Sequence, residues 1–356
     1  MGEQVKEVKL SEKEAINIMV NLVCNKLFIL APLYFRQNSG ISALITTTAA
    51  FTVAVIIWNV YCKYCHLSIT GCKKNTISYT IVMIIALICI IIIPVTLQQY
   101  CLEIKSTVLS NTPDWIIVLS FLIPVLATLK YNFHNIGVQG NIFVPFVFIV
   151  ALIMVTLSVS KPDLFNLFPA ITLNHNTFLP KMILILSMLF ELIFMYFLPD
   201  LLKQDAKIKN IGNSVILRSF IYYSFISVIF SIVLPHSANL KSVPFFKLIK
   251  MAHIGGVHIK LDSLFLILYC ISAYIYTSSM LMFILKMIRS QLSKKYDNII
   301  RCTVTGAICV LSLLPDVNRY LYDMLGRYYF VLSLITFAFP VLIIILNKVL
   351  LCKSKK

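Results

Sequence analysis

Long apolar stretches separated by short polar ones dominate the sequence. A transmembrane helix needs roughly 20 mainly apolar residues, and we identify ten stretches of about that length. They cover about residues 15–35, 41–61, 77–100, 114–131, 137–159, 180–201, 213–235, 260–285, 299–315 and 328–350. The pattern predicts an all-α polytopic membrane protein in which residues 1–356 form a single transmembrane domain.

Composition supports a membrane protein. The chain is 59% hydrophobic, has a mean hydropathy of +0.89, and contains only 13% charged residues. A soluble domain carries about a quarter charged residues, so this chain has too few polar groups to cover a surface in water. The stretch before the first span is polar, and that span is too long for the apolar region of a signal peptide. Ser11 and Glu14 predict a capping box at its start.

The distribution of basic residues predicts the orientation. Ten spans put both termini on one side, and placing them in the cytoplasm puts 20 of the 31 Lys and Arg residues on the inner side. Ten lie outside, and Lys26 lies within a span. The positive-inside rule therefore predicts cytoplasmic termini. The net charge of +17 indicates anionic lipid headgroups as partners. Nucleic acid is not expected, because we find no basic soluble domain to hold it.

A Cys-x-x-Cys-His motif follows the second span, formed by Cys62, Cys65 and His66, with Cys72 close behind. This spacing is typical of c-type haem attachment, and the four residues together also match a structural zinc site. Haem attachment takes place on the oxidising side of a membrane, whereas this loop is predicted to be cytoplasmic. We therefore interpret these residues as reduced cysteines at the membrane edge, with zinc as the alternative, and expect no metal or cofactor.

Two ionisable residues lie in the middle of predicted spans. Lys26 lies in span one beside Asn21, Cys24 and Asn25, and Glu191 lies in span six. An ionisable side chain within a bilayer is costly unless it is paired or hydrated. One interpretation is a structural ion pair, or a Lys26 side chain that extends to the interface. The other is a polar cavity in which Lys26 meets the carboxylate of a ligand and Glu191 its ammonium group.

Span eight carries a polar face. Tyr269, Ser272, Tyr276 and Ser279 follow one another at helical spacing, so they share one side of the helix. Such a face either packs against polar neighbours or lines a cavity. The predicted ligand-binding residues are Asn21, Cys24, Asn25, Lys26, Glu191, Tyr269, Ser272 and Tyr276. We find no nucleophile–base set, metal-binding helix or phosphate loop in the sequence, so we expect no enzymatic activity.

Six short stretches occur in a characteristic order along nearly the whole chain. They are LSEKEA from Leu10, RQNSGIS at Arg36–Ser42, NTPDWII at Asn111–Ile117, PDLFNLFPAI at Pro162–Ile171, LFEL at Leu189–Leu192 and VPFFKLIKMAHIGGVHIKLDSLFLILY at Val243–Tyr269. In this order and spacing the chain resembles the GerAB-type spore germination proteins. That family is a branch of the amino acid–polyamine–organocation superfamily.

The resemblance implies a fold, a function and partners. The fold would be LeuT-like, with two inverted repeats of five helices and a ligand site between helices one, three, six and eight. The protein would be the nutrient-sensing B subunit of a spore germinant receptor in the spore inner membrane or cell membrane. Its partners would be an A subunit, a lipoprotein C subunit and a small-molecule germinant, an amino acid in most cases. The alternative is a secondary amino acid transporter coupled to H⁺ or Na⁺.

Overall fold

The structure of the chain is a computed structural model. It describes residues 9–37, 40–64, 76–128, 133–157, 159, 175–203, 206–233, 253–254, 257–258, 262–291, 297–314, 331–333 and 335–338. The α-helices within these residues are α1 (Glu12–Gln37), α2 (Gly40–Tyr64), α3 (Thr76–Thr107), α4 (Asp114–Thr128), α5 (Phe133–Leu157), α6 (His175–Met188), α7 (Ile208–Val233), α8 (Asp262–Gln291) and α9 (Asp297–Ser312). Residues 331–333 and 335–338 are also helical.

Predicted span six, residues 180–201, is not one continuous helix. The α-helix α6 ends at Met188, and a 3-10 helix at Phe190–Tyr196 follows. The axis bends by 50° between the two segments. At the break, the amide of Leu189 donates to the carbonyls of both Ile185 and Leu186, each at 3.2 Å. The bend therefore arises where hydrogen bonding changes from the fourth preceding residue to the third.

Helix α1 runs through the middle of the bundle. It packs against α5, α7, α8 and the 3-10 helix, while α2 packs against α6 and α7, and α3 against α8 and α9. Because protein surrounds α1, its side chains Asn17, Asn21, Asn25 and Lys26 are buried. This enclosure explains why α1 tolerates polar residues that would be costly against lipid.

The outward faces of the other helices are apolar. On α5, Ile142, Phe146, Ile149 and Ile153 are exposed at helical spacing, as expected for a surface that faces lipid. Of the described helices, five are long and apolar enough to cross a membrane, and the broken α6 would make six. The five are Gly40–Lys63, Val82–Lys105, Phe133–Leu157, Ile208–Val233 and Ser263–Ser290. The total of ten spans remains a prediction.

The end of the bundle where α1 begins, here called the proximal face, is tied together by main-chain and side-chain bonds. The amide of Leu10 donates to the carbonyl of Leu201 at 2.8 Å, and the amide of Lys203 donates to the carbonyl of Leu10 at 3.2 Å. The predicted capping box is confirmed, because the amide of Ser11 donates to Glu14 Oε2 at 2.8 Å. The start of α1 is therefore held to the chain that follows the 3-10 helix.

The opposite end, called the distal face, carries the end of α1 and the start of α8. A short hairpin precedes α8, in which His253–Ile254 pairs antiparallel with Val257–His258. The helix α2 begins on the same face at Gly40, whose φ of 63° favours glycine. The amide of Gly40 donates to Ser231 Oγ at 2.9 Å, which fixes the start of α2 against the end of α7.

Candidate functional site

The site is built on an ion pair between α1 and the 3-10 helix. Lys26 Nζ lies 2.8 Å from Glu191 Oε1. Lys26 is 5% exposed and Glu191 is 0% exposed. The ammonium also lies 5.5 Å from the ring centroid of Phe190, within reach of a cation–π interaction. The two ionisable residues singled out in the sequence are therefore in direct contact, although a role in ligand binding remains a prediction.

The break after α6 positions the carboxylate. Glu191 is the second residue of the 3-10 helix, which packs directly against α1. Tyr276 Oη donates to Glu191 Oε1 at 2.9 Å. Among the described residues, Oε2 of Glu191 has no hydrogen-bond partner although it is buried. A buried carboxylate oxygen without a donor is costly, so the site has an unused acceptor beside the ion pair.

Helix α8 joins the site to α1. Ser272 Oγ is within hydrogen-bonding distance of Asn21 Oδ1 at 2.7 Å and of Asn25 Oδ1 at 3.0 Å. Asn21 Nδ2 donates in turn to the main-chain carbonyl of Ser272 at 3.1 Å. The structure thus places Tyr276 against Glu191 of the ion pair. It also joins Asn21, Asn25 and Ser272 in one hydrogen-bonded group on the α1 side. The sequence allowed two interpretations of the polar face of α8, a packing surface or the wall of a cavity. In this structure the face is buried and packs against its polar partners.

A second buried carboxylate lies nearer the distal face and was not predicted. Tyr269 Oη donates to Glu103 Oε2 of α3, and Glu103 is buried. Tyr100, one turn before Glu103, accepts a hydrogen bond from Asn25. Glu103 follows the predicted end of span three, so it was assigned to the loop, although the i, i+3 spacing to Tyr100 indicates a shared helical face.

Two cysteines differ in their relation to the site. Cys24, a predicted site residue, is buried and has Ser219 of α7 as its neighbour, and its role in ligand binding remains a prediction. Cys89 of α3 is buried and lies close enough to Lys26 and Glu191 to interact electrostatically with both. Sequence reasoning missed Cys89, because span three shows no polar pattern around it.

Aromatic side chains close the site on both sides. Toward the distal face, Tyr269 lies 4.8 Å from Tyr100, 5.9 Å from Phe265 and 6.3 Å from Phe28, measured between ring centroids. We call these four residues the distal aromatic layer. It separates the ion pair from the end of the bundle at which α8 begins.

The proximal aromatic layer consists of Trp58, Tyr61 and Tyr196. Tyr196, at the end of the 3-10 helix, lies 4.6 Å from Tyr61 and 5.7 Å from Trp58 between ring centroids. The indole of Trp58 donates to the carbonyl of Lys209 at 3.3 Å. Aromatic rings of the described residues therefore lie on two sides of the ion pair.

The predicted cysteine and histidine motif lies mostly beyond the described residues. Cys62 forms no disulfide bond among the described residues, whereas Cys65, His66 and Cys72 fall in the part of the chain that the structure does not describe. Within the described residues, no group of three or more His, Cys, Asp or Glu side chains could hold a metal ion. The zinc alternative therefore remains a prediction.

Comparison with solved structures identifies the fold. The chain is similar to Mhp1, a nucleobase-cation-symport-1 family transporter, in a closed conformation with bromovinylhydantoin bound. The identity is 14%, the TM-score is 0.60, and the match covers 92% of this chain and 78% of that one. The inward-facing conformation of Mhp1 matches with 13% identity and a TM-score of 0.59, over 93% of this chain and 74% of that one. No protein family model and no curated protein sequence matches the chain.

These likenesses confirm the predicted fold class. The chain is an all-α, multi-pass membrane protein with a LeuT-like transporter fold. At identities of 14% and 13% the likeness concerns the fold alone. It does not distinguish a germinant receptor subunit from a transporter.

Proposed function

We propose that the chain is a secondary transporter that binds a small zwitterionic solute, with amino acids as the class, at the Lys26–Glu191 pair. The observation that carries the proposal is the enclosed ion pair at the break after α6. In transporter folds with inverted repeats, substrate sites typically lie at discontinuous helices near the middle of the membrane. Here the break after α6 carries Glu191, whose negative group contacts the positive group of Lys26 at 2.8 Å.

The chemistry of the pair matches both ends of an amino acid. In a medium of low dielectric, an unpaired charge is costly, so each group requires a counter-charge. An amino acid supplies both, with its carboxylate at Lys26 and its ammonium at Glu191. Binding exchanges one ion pair for two. Oε2 of Glu191, which has no hydrogen-bond partner in the described part of the chain, is then available as an acceptor for the ammonium group.

Binding at this position would separate α1 from the 3-10 helix. The two elements are in contact across the pair, so a ligand placed between the charges acts on their spacing. The proximal and distal aromatic layers lie on opposite sides of the pair and would open alternately. Such alternation is the general mode of action of this class of fold.

Uptake of labelled amino acids by proteoliposomes containing the purified full chain tests the proposal. Wild-type protein should accumulate at least one amino acid in a saturable way. Glu191→Gln should reduce uptake at least about tenfold, the effect of losing about 1.4 kcal/mol of binding free energy. Tyr274→Phe is the matched control, because Tyr274 donates to Gln139 at 3.3 Å, outside the site, and it should leave uptake unchanged. Absence of uptake and of binding for all amino acids would reject the proposal.

The second candidate is the B subunit of a spore germinant receptor. It rests on the order of the six sequence stretches, in particular the long block at Val243–Tyr269. In this function the same site would bind a germinant amino acid, and the conformational change would pass to an A subunit and a lipoprotein C subunit. A shift from ~1% to ~99% of the active state requires a preference of about 5.5 kcal/mol, and two buried charge contacts would contribute much of that.

Germination assays on spores distinguish a receptor subunit from a transporter. If the chain is a receptor subunit, purified protein binds an amino acid without transporting it. Spores carrying Glu191→Gln would then need a higher germinant concentration, and Lys26→Met spores would behave similarly, while both proteins remain inserted. Normal germination of Glu191→Gln spores, together with uptake by proteoliposomes, would leave the transporter as the remaining function.

A further inference from the structure

The positive charge that faces Glu191 is part of the chain itself. Lys26 Nζ contacts Glu191 Oε1 at 2.8 Å, and Tyr276 Oη lies 2.9 Å from the same oxygen. The carboxylate is 0% exposed, so it requires a cation beside it. A covalently attached ammonium meets that requirement whenever no solute lies between the two groups, whereas a metal ion would first have to bind from solution.

Helix α1 lacks the feature that usually supplies oxygen ligands for a coupling ion. Transporters of this architecture coordinate their ion with main-chain carbonyls at helix breaks. Here α1 is a continuous α-helix over Glu12–Gln37, so its main-chain carbonyls are engaged within the helix. The side-chain oxygens of Asn21 and Asn25, one turn apart on α1, are both contacted by Ser272. Within the described residues, the helix break lies on the other side of the pair, after α6.

We propose that Lys26 is a tethered counter-cation that makes the site independent of sodium and other free metal cations. This inference rests on the proposed function, and it separates the two couplings that the sequence left open. On this proposal sodium coupling is not expected at this carboxylate, because Lys26 already supplies the positive charge beside Glu191. Coupling to protons remains compatible with the site, since Glu191 can take up a proton when Lys26 moves away from it. Mhp1, the solved structure to which this chain is similar, is in contrast a member of a cation-symport family.

The proposal is tested by cation binding to the purified full chain, without any solute. Radioactive sodium should show no saturable binding to the wild type. The melting temperature should be the same in sodium chloride and in choline chloride at equal ionic strength. In Lys26→Ala, sodium or methylammonium should bind the freed carboxylate and raise the melting temperature by at least about 2 °C. Lys26→Ala/Glu191→Gln is the matched control and should lose that response.

Each result decides the proposal. Saturable sodium binding or sodium-dependent stabilisation of the wild type overturns it. A folded Lys26→Ala protein that responds to neither cation also overturns it, because the lysine is then only a packing partner. If Lys26→Ala does not fold, sodium binding to the wild type and to the charge-swapped protein Lys26→Glu/Glu191→Lys tests the proposal instead. Neither protein should bind sodium in a saturable way. Failure of the proposed transport function would be seen separately. Amino acid uptake would then be absent, while the results for cation binding and melting temperature would still be as predicted here.

Discussion

Tyr269 and Tyr276 lie on one face of α8, and each hydroxyl donates to a different buried carboxylate. Tyr269 donates to Glu103 of α3, and Tyr276 donates to Glu191 of the 3-10 helix. They are two helical turns apart, about 10 Å along the axis. Ser272 lies between them and joins α8 to α1. A movement of α8 therefore acts on α1, α3 and the 3-10 helix together.

Removal of one tyrosine hydroxyl from α8 should destabilise the protein more when the hydroxyl's partner is charged than when it is neutral. Tyr276→Phe deletes a hydrogen bond to a carboxylate, which typically contributes about 1.5–3 kcal/mol. Tyr274→Phe deletes the bond to the neutral amide oxygen of Gln139, expected to contribute about 0.5–1.5 kcal/mol. In thermal unfolding of the two purified variants in the same detergent, Tyr276→Phe should have a lower melting temperature than Tyr274→Phe. The reverse order would show that the carboxylate does not depend on Tyr276.

The ion pair should show strong coupling in a double-mutant cycle. Lys26→Met or Glu191→Gln alone leaves one buried charge without its partner, which costs about 3–5 kcal/mol. The double variant Lys26→Met/Glu191→Gln leaves no charge, so we expect it to be more stable than either single variant. Unfolding free energies measure this coupling. Additive losses would mean that the two charges do not interact in the folded protein.

The distal aromatic layer should control access to the centre of the bundle. Tyr269→Phe removes the hydrogen bond to Glu103 but keeps the ring. We expect it to speed labelling of Cys89 by a small thiol reagent, in a protein in which Cys89 is the only cysteine kept. Tyr223→Phe is the control, because Tyr223 donates to the carbonyl of Val23 at 3.2 Å, outside the layer. Equal labelling of wild type, variant and control would show that the bond does not close the distal side.

Two glycines on different helices should respond oppositely to alanine. A Cβ at Gly212 would overlap the indole of Trp58, whereas one at Gly306 would meet no described residue within 4 Å. Gly212→Ala must displace the indole, so a loss of about 1–3 kcal/mol is expected. Gly306→Ala should be neutral or stabilise α9 by up to ~1 kcal/mol. Melting temperatures of the two variants check the prediction, and a stable Gly212→Ala would mean that Trp58 can move freely.

The predicted orientation can be tested at the loop between α2 and α3. The distribution of basic residues places Cys65 in the cytoplasm. A membrane-impermeant thiol reagent should label Cys65 only after the membrane of intact cells is opened. A protein in which Cys65 is replaced by serine is the control for labelling at other cysteines. Labelling from outside would reverse the orientation and make haem attachment at the Cys-x-x-Cys-His motif worth testing.

The sequence by itself determined the fold class and the chemical types in the site. Runs of about 20 apolar residues fix the membrane class, because main-chain groups in lipid must be satisfied within a helix. Lys26 and Glu191 were conspicuous for the same reason, since a charge in an apolar span is costly and therefore rare. The 3-4-3 spacing of Tyr269, Ser272 and their neighbours determined that they share one face of α8.

Only the tertiary structure decided which of these groups meet. The approach of Lys26 to Glu191 depends on the packing of α1 against the 3-10 helix and on the break at Leu189. Neither is encoded in local periodicity, because the apolar pattern of span six continues through the break. Glu103 and Cys89, which the sequence did not single out, lie near predicted site residues because of the rotation of each helix about its axis. That rotation is set by contacts between residues far apart in the chain, which a single sequence does not display.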